Sequence, residues 1–214
     1  MDQGRLGLNH RTNICEIQPG LIFHGVPKAA NTSVKVALLE AQGRGHLRPH
    51  DPSTFRELSP AECLQAIADG AFVFTFTRHP YDRFKSAWRD LIRNDRWVYV
   101  RGMRRFRNQL NKSMSPECFA RFVSGVPDKE ADNHFRSQTA LLHKSGAPLF
   151  TLAGRVENAA DDWRRVQRKV YDRFGLTLPS LPVHNATDGR APLNRTVRTL
   201  LRERYARDFE IFGY

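Results

Sequence analysis

The chain has 214 residues, 40% of them hydrophobic and 26% charged, which suits one sizeable domain with an ordinary core and excludes wholesale disorder. Its 34 Lys and Arg outnumber 22 Asp and Glu, a net charge of +12, so an anionic partner is expected: nucleic acid, anionic polysaccharide, acidic lipid or a polyphosphorylated cofactor. No apolar run approaches the roughly 18 residues of a membrane-spanning helix, and Cys15, Cys63 and Cys118 are too dispersed for a disulfide framework or a zinc site, so free thiols are expected.

Residues 1–20 are polar, lack an apolar signal core and look irregular, so a soluble cytoplasmic chain is expected with its domain over 21–214. Leu21 to Val26 has the composition of a short buried strand. From Thr32 to Gln42 the apolar residues Val34, Ala37, Leu38 and Ala41 share one helical face, and Gly43 and Gly45 end the helix. Residues 46–60 are loop-like, and a short helix is expected over 60–69. Ala71 to Thr77, AFVFTFT, is continuous, aromatic and β-branched, the pattern of a strand buried on both faces. Pro80 opens the next helix, whose core face is Phe84, Ala87, Trp88, Leu91 and Ile92. A very basic stretch covers 93–112, and helical patterns return at 115–124 and 133–143. A third strand is expected over Leu149 to Ala153, then a helix with Trp163, Val166, Val170, Tyr171 and Phe174 on one side. A proline-rich loop, 178–192, precedes a last helix with Val197, Leu200, Leu201 and Tyr205. Strands separated by helices predict a single, helix-rich α/β domain with a P-loop-like, mainly parallel sheet flanked by helices.

Ligands of such sheets sit beyond the carboxyl ends of the strands, where helix N-termini point. Pro27-Lys28-Ala29-Ala30-Asn31-Thr32-Ser33 occupies that place after the first strand. Backbone N–H groups at the helix start would face an anion, Ala29 and Ala30 would let it come close, Lys28 would add a point charge, and Thr32 and Ser33 hydroxyl donors. The loop is not a Walker A motif: Lys28 comes early and no glycine stands between Gly25 and Gly43. The plainer alternative is that Thr32 caps a helix and Lys28 is a solvated charge. The second strand runs into Arg78-His79-Pro80 and a helix, repeating the logic. Ser86 follows Arg78 by eight residues, about two helical turns, so the pair could grip a second phosphate by a guanidinium fork and a hydroxyl. The alternative is that Arg78 pairs with Asp82.

Two anion sites on successive strand ends suit a ligand with phosphate-like groups at both ends. VPKAANTS resembles the 5′-phosphosulfate loop of sulfotransferases, and TRHPYDRFKSAWRD resembles their 3′-phosphate-binding strand and helix. The likeness is to the carbohydrate branch, whose members use 3′-phosphoadenosine-5′-phosphosulfate (PAPS) and release 3′-phosphoadenosine-5′-phosphate (PAP). DNHFRSQTALL (132–142), RVENAADDW (155–163), LPVHNAT (181–187) and YARDFEIFGY (205–214) resemble later segments of that branch. The resemblance implies that Lys28 assists departure of the 5′-phosphate, that Thr32, Ser33 and the amides near Asn31 bind the 5′ end, and that Arg78 and Ser86 hold the 3′-phosphate. It implies no metal, a serine coupled to the lysine, and a histidine or glutamate as general base. His134 in DNHFRSQ is the leading candidate base, followed by His50 and His46, with Glu62 and Glu157 as weaker carboxylate candidates; His24 looks like a packing residue. In many relatives a late basic loop closes over the 3′-phosphate, which makes Arg190 a candidate. Without a membrane anchor the chain resembles a bacterial-type enzyme, unless an N-terminal anchor was removed.

Arg93, Arg96, Arg101, Arg104 and Arg105 are interleaved with Trp97, Tyr99 and Phe106. Arginine forks suit carboxylates or sulfates and rings suit sugar faces, so these arginines are candidates for binding a carbohydrate or glycolipid acceptor; a solvated basic face or a nucleic-acid contact would look alike. Transfer to a hydroxyl is expected, an amine being the alternative, and no nucleic-acid partner is expected. Two other readings compete: a small-molecule or nucleotide kinase, for which no strand ends in the required Asp, and a non-catalytic polyanion-binding protein, which leaves the paired loops unexplained.

Overall fold

The computed structural model describes residues 12–182 and 192–214, with Arg101 described by its backbone alone. β1 (Ile14–Gln18) turns back through Pro19-Gly20 into β2 (Leu21–His24), with Gly20 at φ 79°, a conformation glycine adopts without strain. α1 (Asn31–Ala41) follows the first loop. β3 (Arg56–Glu57) then adds a two-residue edge and α2 (Pro60–Ala68) begins with a Ser59–Glu62 capping box. β4 (Phe72–Thr77) leads to α3 (Pro80–Trp88), which runs on as one π-helical turn over Arg89–Arg93. Two 3-10 helices, Arg96–Val98 and Arg101–Phe106, carry the basic stretch. Then come α4 (Pro116–Gly125), α5 (Gln138–Leu142), the hairpin β5 (His143–Lys144) and β6 (Ala147–Pro148), β7 (Leu152–Arg155), α6 (Ala159–Phe174), α7 (Arg195–Arg204) and α8 (Ala206–Phe212).

The main sheet has the order β3-β1-β2-β4-β7. β2, β4 and β7 are parallel, with Phe23 opposite Phe74 and Phe74 opposite Leu152, while β1 and β3 are added antiparallel. The expected α/β architecture is therefore present, with a mixed sheet whose central strands are parallel. Period-2 alternation splits the strands between two cores. Leu21, Phe23, Phe72, Phe74 and Phe76 face the side covered by α1 and α6, where Val34, Leu38, Trp163, Val166 and Val170 pack. Ile14, Ile22 and Val73 face Leu58, Cys63 and Leu149. A third core, built on Phe84, Leu91, Phe119, Phe135 and Leu201, joins α3, α4 and α7 into a helical layer beside the sheet.

Four sequence expectations need correction. Residues 14–18 are a strand rather than irregular; only its buried Ile14, Cys15 and Ile17 hint at it, because a short edge alternates weakly. The first strand ends at His24, so Gly25 and Val26 belong to the loop. The third strand starts at Leu152, since Pro148 is used in the hairpin and Leu149 packs on the opposite face. The expected helix over 133–143 shrinks to α5, because Asp132 and Ser137 hold residues 132–137 in turns before it. Cys15, Cys63 and Cys118 are thiols outside any disulfide among the described residues.

Candidate active site

The loop between β2 and α1 is glycine-poor but conformationally unusual. Lys28 (φ 68°) and Ala30 (φ 55°) both lie in the left-handed region, which non-glycine residues rarely enter and which clusters at ligand sites. Ala29 closes a turn by donating its N–H to the Val26 carbonyl at 3.1 Å. Ala30 is the N-cap of α1 and makes no side-chain cap, and the first turn holds no acidic residue, so the orphan N–H groups of that turn can face an anion. Thr32 is therefore not the cap. Gly25 is fixed by packing: a Cβ there would lie 2.1 Å from Asn31 Oδ1, a buried oxygen without a hydrogen-bond partner among the described residues. Asn31 and Ser33 are buried, Thr32 is half-buried, and Pro27 and Ala29 are packed inside.

Arg83, buried at 3% exposure, anchors this loop from α3. Its Nε donates to the Pro27 carbonyl at 3.0 Å, Nη1 to Arg136 at 2.7 Å and Nη2 to Asn133 at 2.8 Å. Burial pushes the guanidinium downward from its ordinary pKa, and three carbonyls compensate its charge. The one available sequence signal for this role is a charge directly beside Phe84 on an apolar helix face.

Lys28 is not a solvated charge. Its side chain is 17% exposed and Nζ pairs with Asp90 Oδ2 at 2.8 Å, while Asp90 Oδ1 accepts from Arg96 Nη1 at 3.1 Å. Burial lowers the Lys28 pKa, Asp90 opposes that, and Arg96 and Arg78 add repulsion. Burial pushes Asp90 up, but Lys28 first and then Arg96 and His134 together carry it below the usual carboxylate range. The hydrogen bond from Lys28 Nζ goes to Asp90, one turn beyond Ser86. Asp90 was not a sequence candidate, because its pairing with Lys28 spans 62 residues and leaves no local pattern.

Arg78 stands at the carboxyl end of β4, and its Nη1 donates to the Lys28 carbonyl at 3.2 Å, which brings the two loops together. Its backbone is held in both directions by Gln138: Arg78 N–H donates to Oε1 at 2.9 Å and Gln138 Nε2 donates to the Arg78 carbonyl at 2.8 Å. Gln138 is fixed in turn by Asp208, which accepts from the Gln138 and Thr139 N–H groups. Burial lowers the Arg78 pKa, against the attraction of Asp82 and Glu157. Asp82 itself pairs with Lys85. Ser86 is buried on α3.

The histidines separate by their surroundings. His134 Nδ1 lies 2.6 Å from Oδ1 of buried Asp132, which also accepts the His134 N–H at 2.9 Å. The His134 side chain keeps 28% exposure and is near enough to act on the charge of Asp90. His50 Nε2 meets Thr32 Oγ1 at 2.8 Å on the exposed side of the loop. His46 is exposed with no shared contact to the loop among those described. His24 is a packing residue, 2% exposed, with burial lowering its pKa to about 4 and a contact of Nδ1 to the Leu149 carbonyl at 3.4 Å. Glu62 serves the α2 capping box, and Glu157 accepts the His79 N–H at 2.7 Å; both are committed to local structure.

Among the acceptor candidates whose side chains are described, Arg96 alone joins the Lys28 cluster directly. Arg93 stacks on Trp88 at 5.8 Å and Arg105 on Phe106 at 4.7 Å, each exposed, and Arg104 is exposed as well. Tyr99 beside them is 86% exposed. Arg190 and the side chain of Arg101 lie outside the described residues.

Lys28, Arg78 and a bare helix start thus form a cationic cradle of the kind a phosphate–sulfate ligand needs, with an Asp-held imidazole nearby. No curated protein and no solved structure matches the chain. A family model described as "Sulfotransferase family" matches residues 11–214, nearly the whole chain, and the protein belongs to that family.

Proposed function

We propose that this sulfotransferase acts on a hydroxyl group of an anionic carbohydrate or glycolipid, with Lys28 assisting the leaving group and His134 as general base. Sulfuryl transfer comes with the family, and PAPS is the donor that the family implies. The observation that carries the assignment is the meeting of Lys28, Arg78 and His134 around one strand-end site, through Arg78 Nη1 on the Lys28 carbonyl and the proximity of His134 to Asp90, the partner of Lys28.

The residues fit the donor. The uncapped α1 start and the Lys28 ammonium suit its 5′ end, and Arg78 with buried Ser86 suits its 3′-phosphate. When bound, the donor supplies the sulfuryl group for in-line displacement, a reaction governed by positioning and by charge on the leaving oxygen. Lys28 donates a hydrogen bond to that oxygen as the S–O bond to it breaks. Asp132 holds Nδ1 of His134, leaving Nε2 to take the acceptor's proton as the new O–S bond forms. His50, held by the Thr32 hydroxyl, is assigned to the loop rather than to the proton. Arg93, Arg96, Arg104 and Arg105 meet the acceptor's acidic groups, and exposed Tyr99 offers a ring to a sugar face.

Titration calorimetry with PAP, and with ATP plus Mg²⁺ in parallel, tests the donor assignment. Metal-independent PAP binding is expected, weakened about 30-fold or more in Arg78→Ala. Binding of ATP–Mg²⁺ without PAP would move the protein to phosphoryl chemistry. Labelled sulfate from PAPS is then followed onto a panel of neutral and acidic oligosaccharides; transfer to neutral acceptors alone would refute the anionic acceptor.

A further inference from the structure

Asp90 is the unexpected member of the site. A carboxylate beside a cradle for a multiply charged anion repels the ligand, and a shielded ion pair is weak support for stability because both charges lose water. Its geometry is nevertheless specific. The π-helical turn Arg89–Arg93 presents it to Lys28, both side chains are about one-sixth exposed at 17% and 16%, and the two carboxylate oxygens are divided between Lys28 and Arg96.

We infer that Asp90 is a positioning residue, the resident counter-ion of Lys28, which holds the ammonium before the donor arrives and yields it to the donor's anion. The inference rests on the assignment of Lys28 to the donor site. The charged groups facing Lys28 are Asp90 from the π-helical turn, Arg96 from the 3-10 helix and Arg78 from the end of β4; His134 faces Asp90 from the segment before α5. Asp90 is the one acid among these cations. Burial and the two arginines all disfavour the ammonium form, so without Asp90 Lys28 would release its proton more readily and lose its ability to donate to a leaving oxygen. When the donor takes Lys28, Asp90 keeps Arg96, so its charge is not stranded. Arg96 lies in the basic segment assigned to the acceptor, so Asp90 links the donor side of the site to the acceptor side.

The arrangement predicts opposite effects of one substitution on affinity and on its pH range. In Asp90→Asn, PAP loses a competitor and binds about three- to ten-fold more tightly near pH 7, while the alkaline loss of binding moves to lower pH. Asp90→Glu, which keeps the charge, returns both toward wild type. Arg96→Gln removes a repelling charge and shifts the alkaline loss the other way, to higher pH, which supplies a reading even if Asp90→Asn folds poorly. The experiment is PAP calorimetry from pH 7 to 10.5 on the four proteins, with thermal melting to confirm folding. If wild type binds PAP and the Asp90 and Arg96 variants match it in affinity and alkaline limb, the counter-ion role is wrong while the donor site stands. If wild type binds no PAP, the donor site itself fails and the inference with it.

Discussion

His134 and His50 differ in what holds their rings. A buried carboxylate on Nδ1 orients an imidazole and leaves its Nε2 to act, whereas a hydroxyl on Nε2 occupies the nitrogen that would act. His134→Gln is therefore expected to lower kcat about 10²- to 10⁴-fold with PAP affinity unchanged, and Asp132→Asn to lower kcat less, again without loss of PAP binding. His50→Gln is expected to leave kcat within a few-fold of wild type; the reverse ranking would transfer the proton to His50. His24 carries a prediction on stability instead. Its folded pKa of about 4 lies below the 6.5 of an exposed imidazole. Above pH 6.5 the ring is neutral folded or unfolded and its contribution is complete. As pH falls below 6.5 only the unfolded chain takes the proton, so stability is lost progressively down to about pH 4, by about 3 kcal/mol. Urea unfolding across this range should show that decline in wild type and a shallower one in His24→Asn; equal slopes would mean that His24 is charged in the fold.

The first loop works as an element because its backbone is held from three sides. Asn31 packs on Gly25, Arg83 holds the Pro27 carbonyl and Arg78 holds the Lys28 carbonyl. Gly25→Ala would place a methyl 2.1 Å from Asn31 Oδ1 and force the buried Asn31 side chain to move, an overpacking that costs about 1–3 kcal/mol, with loss of PAP affinity as the site-specific sign. Asn31→Ala in the Gly25→Ala background should recover part of the stability; additive losses would show that the two side chains do not collide. The loop and both parallel strands before the helices were legible in sequence, because continuous apolar runs ending in Lys28 and Arg78 motifs leave few alternatives. Asp90 was not, since its partner Lys28 lies 62 residues away and only the fold brings the two together. Arg83 was quoted within a motif but its buried clamp depends on carbonyls 50 and 53 residues away, which no local pattern reveals. β1 and β7 were missed or shifted for a related reason: their register is set by neighbouring strands rather than by their own composition.

At the scale of the whole molecule, charge has to be distributed between a donor site and an acceptor surface. The donor site uses Lys28 and Arg78, both largely shielded, and the net charge of +12 leaves many cations elsewhere. Arg93, Arg104 and Arg105 are exposed, and stacking on Trp88 and Phe106 orders the first and last of them without neutralising either. Exposed charges are screened over about 8 Å at physiological salt, shielded ones far less. Salt should therefore separate the two functions. Affinity for a sulfated polysaccharide is expected to fall steeply with added salt, and the triple variant Arg93→Ala, Arg104→Ala, Arg105→Ala to bind it more weakly with a logarithmic salt slope shallower by up to about three. PAP affinity at fixed salt should be the same in the triple variant and the wild type, because none of the three contacts Lys28 or Arg78 among the described interactions. A salt slope left unchanged by the triple substitution would place the acceptor on a different face of the protein, and a loss of PAP binding would show that these arginines serve the donor instead.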